Sequence, residues 1–296
     1  MSDQSLVFDR ALGRSRLMRA LAGDYPDFLL QRVAGDLEER LGAVLRQFAV
    51  AADLGTPLPV VGSVLGGKAQ QLWRLAEATG GASPDLVGDL ESLPFGPGSL
   101  DLAVSLLALQ NVNDLPGALV QIKRALRPDG LFIACLLGGR TLQELRQALL
   151  EAESETSGGV SPRVAPFGDL RDLGGLLQRA GFALPVIDSE IVTVRYRDAF
   201  GLMRDLRAMG WANALIARRK APLRRATLLR AAAIYAERFA DPDGRVRATF
   251  ECVWLSGWAP HESQQKPLKP GSAKARLADA LGVPEIRPGT EPGTPR

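Results

Sequence analysis

The stretch that decides the fold is DLESLPFGPGSLDLAVSLLALQNVNDLPGALVQIKRALRPDGLFIACLLGG, residues 89–139. It contains two apolar runs, Leu100 to Leu109 and Leu131 to Leu137, with a helical segment between them. Neither run alternates with polar residues, which predicts strands of a sheet that is covered on both faces. Two parallel strands joined by a helix almost always cross over right-handedly. The stretch therefore predicts an α/β fold.

The helix of this unit has signals at both of its ends. Asn113-Asp114 can cap its first turn, and Pro116 fits a position that needs no backbone N–H donor. Pro128 to Gly130 predict a turn that stops the helix before the second strand begins. In such sheets ligands bind beyond the carboxyl ends of the strands, which places a predicted binding edge near Gln110.

Composition and charge exclude several classes of protein. Hydrophobic residues make up 46% and charged residues 23% of the 296 residues, as in ordinary globular proteins. No apolar run approaches the roughly 18 residues of a membrane span, and the N-terminus has no secretory signal, so we predict a cytoplasmic location. The net charge is +3, and its arginine clusters carry few aromatic residues, so nucleic-acid binding is not expected. These clusters indicate either solvated helix faces or a surface for an acidic protein partner.

A single histidine limits the possible catalytic chemistry. His261 is the one residue that any histidine-dependent triad would have to use, and a metal site with two histidines cannot be built from this chain. The two cysteines, Cys135 and Cys252, lie in apolar runs and are predicted to be buried free thiols. We therefore predict no metal site, and chemistry that comes from a bound cofactor or from carboxylates and amides.

A second candidate edge of the binding site lies upstream, after the apolar segment that ends in Asp53-Leu54-Gly55. A glycine at the end of a first strand lets the backbone approach a ligand. The next residues, Thr56 to Pro59, include two prolines that lack N–H donors, so the usual cofactor loop is altered. Glu77 follows Gly55 at the spacing of roughly 20 residues that is typical of an acid bound to ribose hydroxyls. Residues 72–77 fit a strand or a helix, and a solvated helix glutamate is an equal alternative.

Residues Gly62 to Lys68 match the spacing of a phosphate-binding loop, with a glycine, four residues, a glycine and a lysine. The residue that follows is Ala69, which lacks the hydroxyl group that would hold Mg²⁺. A loop or a short helix is the favoured interpretation of this segment.

The remaining segments predict the rest of the domain. Thr141 can cap a helix that runs to Glu155, with Glu144 as the second member of a capping box. Further helices are predicted within residues 5–46, at 169–180 and through 198–240, and further strands at 182–196 and 246–258. We predict one domain over residues 1–260, made of a helical cap (1–46), a core (47–196), a helical insertion (197–242) and a last strand (243–260), followed by a mobile tail (261–296).

Several of these motifs, in this order, resemble those of class I S-adenosylmethionine-dependent methyltransferases. They are Asp53-Leu54-Gly55, Asp89-Leu90-Glu91-Ser92-Leu93-Pro94-Phe95, Asn113-Asp114 and Leu126-Arg127-Pro128-Asp129-Gly130. The chain is most similar to the subfamily of bacterial and mitochondrial assembly factors of respiratory complex I, one of which is described as an arginine hydroxylase. The marks of that subfamily are Val7-Phe8-Asp9-Arg10, Val112-Asn113-Asp114-Leu115-Pro116, Gly158-Gly159-Val160-Ser161-Pro162, Arg179-Ala180-Gly181-Phe182 and His261-Glu262-Ser263-Gln264.

This resemblance implies a Rossmann-like, seven-stranded α/β sheet with helices on both faces, an N-terminal helical cap and a helical insertion before the last strand. It implies S-adenosylmethionine as the cofactor and a subunit of NADH:quinone oxidoreductase as the partner, and it assigns no catalytic residue. The residues expected to bind the cofactor are Asp53, Gly55, Glu77, Asp89, Leu90 and Gln110. Two alternatives to a methyltransferase stay open, a non-catalytic assembly scaffold and a protein arginine hydroxylase.

Overall fold

The structure, a computed structural model, describes residues 6–80 and 83–264. In this part of the chain the strands form one sheet in the order β3-β2-β1-β4-β5-β7-β6, in which only β7 is antiparallel to its neighbours. The strands are β1 (Phe48–Leu54), β2 (Ala69–Ala76), β3 (Leu86–Val87), β4 (Leu100–Leu106), β5 (Leu126–Leu137), β6 (Ala183–Tyr196) and β7 (Val246–Trp258).

Helices cover both faces of the sheet. Their bounds are α1 (Arg10–Leu21), α2 (Phe28–Gly42), α3 (Val60–Leu65), α4 (Leu115–Ala125), α5 (Gln143–Ser157), α6 (Leu170–Arg179), α7 (Ala199–Ala208) and α8 (Arg225–Phe239). Helices α2, α3, α5, α7 and α8 contribute to the core on one face, and α4 and α6 to the core on the other. The seven-stranded α/β fold that the resemblance implied is therefore confirmed.

Two apolar faces explain why the central strands lack polar alternation. Along β4, Leu102 and Val104 face one core and Ala103 faces the other, and β5 alternates in the same way. A strand that is buried on both faces is apolar at nearly every position. The thiols of Cys135 and Cys252 are buried and free, as predicted.

The structure shows the conformation of two segments for which the sequence left alternatives or predicted a simpler one. Residues 69–76 form strand β2, so the strand interpretation of this segment is confirmed. The predicted turn at Pro128 to Gly130 lies inside β5, which is assigned from Leu126 to Leu137. Asp129 has a positive φ of 62°, and the pairing with β4 shifts between Leu100–Leu126 and Leu102–Leu131, so the strand is irregular at the predicted turn. Gly130 accepts a hydrogen bond from Ala259 N–H (2.8 Å) and Asp129 N–H donates one to Ala259 (3.0 Å), so the chain after β7 holds this segment in place.

The predicted capping box of α5 is wrong. The cap residue is Leu142, which has a positive φ of 54° and makes no side-chain cap. The Thr141 hydroxyl instead accepts a hydrogen bond from Glu251 N–H (3.1 Å), and the Glu144 carboxylate accepts one from Thr249 N–H (3.2 Å). Both side chains bind to β7 instead, and the helix starts one residue later than predicted.

Helix prediction over 198–240 is correct for α7 and α8, but residues 209–224 between them are not helical. Gly62 to Lys68 form the end of α3 and a short 3₁₀ turn, as a loop-or-helix interpretation requires. Lys68 Nζ donates to the carbonyl oxygens of Leu41 (2.6 Å) and Val44 (2.7 Å). The lysine therefore serves the end of α2, and no phosphate-binding loop is formed.

The described residues up to His261 belong to one compact unit. The predicted tail lies almost wholly outside the described residues, and the predicted domain boundaries stay predictions. No helix in the described ranges combines the length and the apolar character that a membrane span requires.

Candidate functional site

A cavity of about 730 Å³ opens at the carboxyl ends of β1, β2 and β4. Its volume is in the range of small-molecule binding sites. Of the residues that we expected to bind a cofactor, Gly55, Glu77 and Gln110 line it. Asp53, Asp89 and Leu90 are not among the lining residues, so the predicted set is divided between the cavity and its surroundings.

Gly55 forms the floor of the cavity where β1 ends. Its φ of +80° is a conformation that residues with a side chain rarely adopt. A Cβ atom here would lie 2.9 Å from Leu90 Cδ1 and 3.1 Å from Ala108 Cβ. Leu90, which is 1% exposed, therefore packs beneath the glycine and supports the floor.

Asp53 lies inside the sheet below this floor. It is 0% exposed, and its carboxyl oxygens have no hydrogen-bond partner of good geometry among the described residues. Burial raises the pKa of Asp53 to about 7, and Thr56 and Arg74 oppose this increase only in part. An acid held in this way supports the loop after β1, and it does not reach the cavity.

Glu77 follows β2 and lines the cavity with a side chain that is 17% exposed. Its Oε1 atom accepts a hydrogen bond from the guanidinium group of Arg10, the first residue of α1. Arg10 also contacts Asp89 Oδ1 (2.5 Å) and Glu91 Oε2 (2.8 Å), so three carboxylates surround one cation. Burial raises the pKa of Glu77, and Arg10 opposes that shift. Burial acts in the same direction on Asp89, but the Glu91 N–H and Arg10 outweigh it and hold the pKa of Asp89 below its usual value.

Gln110 contributes an acceptor that is buried at the edge of the cavity. Its Nε2 atom donates to the Leu107 carbonyl (2.7 Å). Its Oε1 atom is buried and has no hydrogen-bond partner in the described part of the chain. A buried carbonyl oxygen without a donor is costly, so this atom is suited to accept a hydrogen bond from a ligand.

The sequence did not indicate what covers the cavity. The segment before α1 pairs with the loop after α7, since Asp9 N–H donates to Ala214 (2.8 Å) and Ile216 N–H donates to Val7 (2.9 Å). Asn113, in the loop before α4, accepts hydrogen bonds from Val7 N–H (2.9 Å) and Phe8 N–H (2.8 Å). Val7 to Arg10 stood out only as a family mark, and no local signal reveals its distant partners. Apolar residues of the insertion complete the wall, among them Phe200, Met203, Trp211 and Leu215.

Residues Thr56 to Pro59 do not fill the space beyond β1. Pro57 lines the cavity, and Arg74 Nη2 donates to the carbonyl oxygens of Thr56 (3.3 Å) and Pro57 (2.9 Å). The proline-containing loop is thus tied back against β2. Because the cavity stays open above it, the altered loop leaves room for a ligand.

Comparison with known proteins shows the family to which this chain belongs. The model of a methyltransferase domain family matches residues 45–134, which contain Gly55, Glu77 and Gln110. The arginine-hydroxylase NDUFAF5, mitochondrial, of Danio rerio is 38% identical over 294 residues, which cover 95% of this chain and 91% of that protein. The chain belongs to the NDUFAF5 family. Its domain is of the S-adenosylmethionine-dependent methyltransferase class.

Two further proteins are similar to this chain. The malonyl-[acyl-carrier protein] O-methyltransferase of Gallionella capsiferriformans is 34% identical over 86% of this chain and 92% of its own length. The crystal structure of the YcgJ protein from Bacillus subtilis has a TM-score of 0.52 at 12% identity, and it covers 78% of this chain and 99% of that one. At that identity the likeness concerns the fold alone.

The residues of the cavity fit S-adenosylmethionine, the cofactor of this class. Gly55 leaves the floor open for close approach of a ligand, and the unpartnered Gln110 Oε1 offers an acceptor. Glu77 Oε2 receives no hydrogen bond from the described residues and can accept from a ribose hydroxyl group. Within the described ranges, no three histidine, cysteine, aspartate or glutamate side chains are placed to hold a metal ion.

Proposed function

We propose that this chain binds S-adenosylmethionine in the cavity above Gly55 and transfers its methyl group to a protein substrate. The observation that carries the proposal is the position of the cavity, where a glycine with positive φ and an acid after the second strand meet at the carboxyl edge of a parallel sheet. The domain class and the identity with the NDUFAF5 family support it.

The cofactor-binding residues have different roles in this proposal. Glu77 accepts hydrogen bonds from the ribose hydroxyl groups, and Gln110 accepts one from the ligand through Oε1. Gly55 lets the ligand approach the backbone. Asp89 is assigned to the adenine side in this proposal, because it contacts Arg10 next to Glu77. Asp53 and Leu90 act from below, by holding the loop and the floor.

When bound, S-adenosylmethionine supplies an activated methyl carbon for attack by a nucleophile. The chain's part is to align that nucleophile and to exclude water, which requires no general base of its own. The apolar wall that the insertion contributes, with Phe200, Met203 and Trp211, is suited to exclude water from the reaction.

We propose a subunit of NADH:quinone oxidoreductase as the partner and a cytoplasmic location for the protein. The resemblance to assembly factors of respiratory complex I supports the partner, together with the similarity over nearly the whole chain. Fractionation of cells and co-purification with the tagged chain would test both points.

A second candidate is hydroxylation of a protein arginine. One observation favours it, namely that the NDUFAF5 relatives of Danio rerio and Homo sapiens are arginine-hydroxylases by name. The two reactions leave different marks on the same substrate. Methylation adds the mass of a methylene group and hydroxylation adds that of an oxygen atom. Mass spectrometry of complex I subunits from cells with and without this protein therefore separates the two candidates.

The binding proposal is tested by calorimetry with S-adenosylmethionine and S-adenosylhomocysteine. We expect both ligands to bind, and we expect Glu77→Gln to weaken binding about tenfold, because a hydrogen bond to a charged acceptor is lost. Glu190→Gln on the distant strand β6 is the matched control and should bind normally. Absence of heat and of a melting shift with the wild-type chain at millimolar ligand would refute the proposal.

A further inference from the structure

Arg10 joins the N-terminal helix to the end of β2. Its guanidinium group donates a hydrogen bond to Glu77 Oε1, and the other carboxyl oxygen of Glu77 receives no hydrogen bond from the described residues. Because Glu77 also lines the cavity, the contact fixes one oxygen and leaves the second one for a ligand. The Arg10 side chain is 13% exposed, so water screens this ion pair only weakly.

The charges around Glu77 make it dependent on Arg10. Asp89 and Glu91 are the other acids that contact the same guanidinium group, at 2.5 and 2.8 Å. Arg14 is the other cation nearby, and it is bound to Asp89 (3.2 Å) with a side chain that is 41% exposed. Burial and Asp89 raise the pKa of Glu77, while Arg10, the Leu90 N–H and Arg14 lower it. Without Arg10, only the weaker effects of the Leu90 N–H and of Arg14 would favour the ionised form of Glu77.

The backbone holds Arg10 in place from both sides. Asp9 caps α1 by accepting a hydrogen bond from Leu12 N–H (3.1 Å), and its own N–H donates to Ala214 (2.8 Å). Asn113 Oδ1 accepts from Phe8 N–H (2.8 Å). The guanidinium group is thus presented by an anchored segment, which lowers the entropic cost of keeping it on Glu77.

We propose that Arg10 is a positioning residue, which orients Glu77 for the vicinal diol of a ribose by engaging Oε1 and leaving Oε2 free. The part of this inference that names a ribose rests on the proposed function. Arg10 itself also lines the cavity. The inference adds that the N-terminal helix takes part in ligand binding through the hold of Arg10 on Glu77.

The first experiment measures the affinity for S-adenosylhomocysteine from mildly acidic to mildly alkaline pH. We expect Arg10→Gln to weaken binding about tenfold at neutral pH, and more in acid, because Glu77 then takes up a proton at higher pH. Arg10→Lys keeps the positive charge and should restore the pH profile in part. Arg19→Gln removes the same charge from the exposed side of α1 and should bind like the wild type. An Arg10→Gln chain that binds as tightly as the wild type with an unchanged pH profile would overturn the inference, and so would tighter binding, which would mean that Arg10 competes with the ligand.

A second experiment separates positioning from folding. Affinity is measured for adenosine and for an analogue that lacks one ribose hydroxyl group, in the wild type and in Arg10→Gln. The quantity compared is the loss of affinity that follows removal of the hydroxyl group. We expect a smaller loss in Arg10→Gln than in the wild type, because the hydroxyl group has already lost a well-oriented acceptor. Equal losses would mean that Arg10 has a structural role only.

A third measurement does not need a ligand. The pKa of the Glu77 carboxyl group, followed by NMR titration, should increase in Arg10→Gln and return toward the wild-type value in Arg10→Lys. If the wild type failed to bind the nucleoside, the proposed function would fall while this titration still reported on the link between Arg10 and Glu77. An unchanged pKa of Glu77 in Arg10→Gln would refute that link by itself.

Discussion

Arg74 Nε lies 3.9 Å from Asp53 Oδ2, and both side chains are almost completely buried. The two residues are direct neighbours in register on β2 and β1. Arg74 also donates to the carbonyl oxygens of Thr56 and Pro57, so it links the buried acid to the loop that borders the cavity. The pair therefore holds the loop in the absence of the glycine residues usual at this position.

The buried acid predicts a pH dependence of stability. Because burial raises the pKa of Asp53 from 3.8 to about 7 in the folded state, its stabilising contribution is complete below the unfolded-state value and is lost progressively as the pH rises from that value through 7. We expect the stability of Asp53→Asn relative to the wild type to increase between about pH 4 and pH 7, by at most about 4 kcal/mol, and to stay level above that range. Urea unfolding at several pH values measures this difference. A constant difference across that range would contradict the prediction.

Replacement of Arg74 by methionine removes the cation and leaves the acid behind. We expect a loss of about 1–3 kcal/mol in the free energy of unfolding at neutral pH, because two carbonyl oxygens lose their donor, while the pKa of Asp53 increases further without the cation and the acid takes up a proton. The double variant Asp53→Asn, Arg74→Met should lose less than the sum of the single variants. Additive losses would show that the two residues act independently.

Gly55→Ala tests the floor of the cavity. The added Cβ would meet Leu90 at 2.9 Å in a backbone conformation with positive φ, so we expect a loss of about 2–4 kcal/mol and weaker ligand binding. Gly158→Ala is the control, since its φ is +63° and no atom lies within 4 Å of the added Cβ. It should cost only about 1 kcal/mol of conformational strain and leave binding unchanged. Thermal unfolding and calorimetry compare the two variants, and equal effects on binding would refute the assignment of the floor.

Lys68→Met tests the role that the structure gives to the apparent phosphate-loop lysine. Two carbonyl oxygens near the end of α2 would lose their donor, and we expect a loss of about 1–3 kcal/mol. Arg171→Met removes the same charge at an exposed position of α6 and should change stability by less than about 0.5 kcal/mol. We expect equal, negligible binding of ATP by both variants and the wild type. ATP binding that depends on Lys68 would instead support a phosphate site.

The sequence alone was sufficient for the α/β class, for most helices and strands, and for three residues that line the cavity. Those features depend on local signals such as continuous apolar runs and caps. Asp114 does cap α4, by accepting a hydrogen bond from Gly117 N–H. The strand and glycine pattern similarly placed Gly55, Glu77 and Gln110 at the edge where ligands bind.

Tertiary structure decided the rest, because it depends on partners far away along the chain. Thr141 and Glu144 carry the local signature of a capping box. They nevertheless accept hydrogen bonds from residues of β7, more than a hundred residues away, and do not cap the helix. Asp53 matches a cofactor motif, but it is buried beneath the floor of the cavity. Arg10 lies 67 residues from Glu77 in sequence, and only the folded chain brings this cation to the acid. Burial and charge pairing are properties of the assembled fold, and local patterns do not encode them.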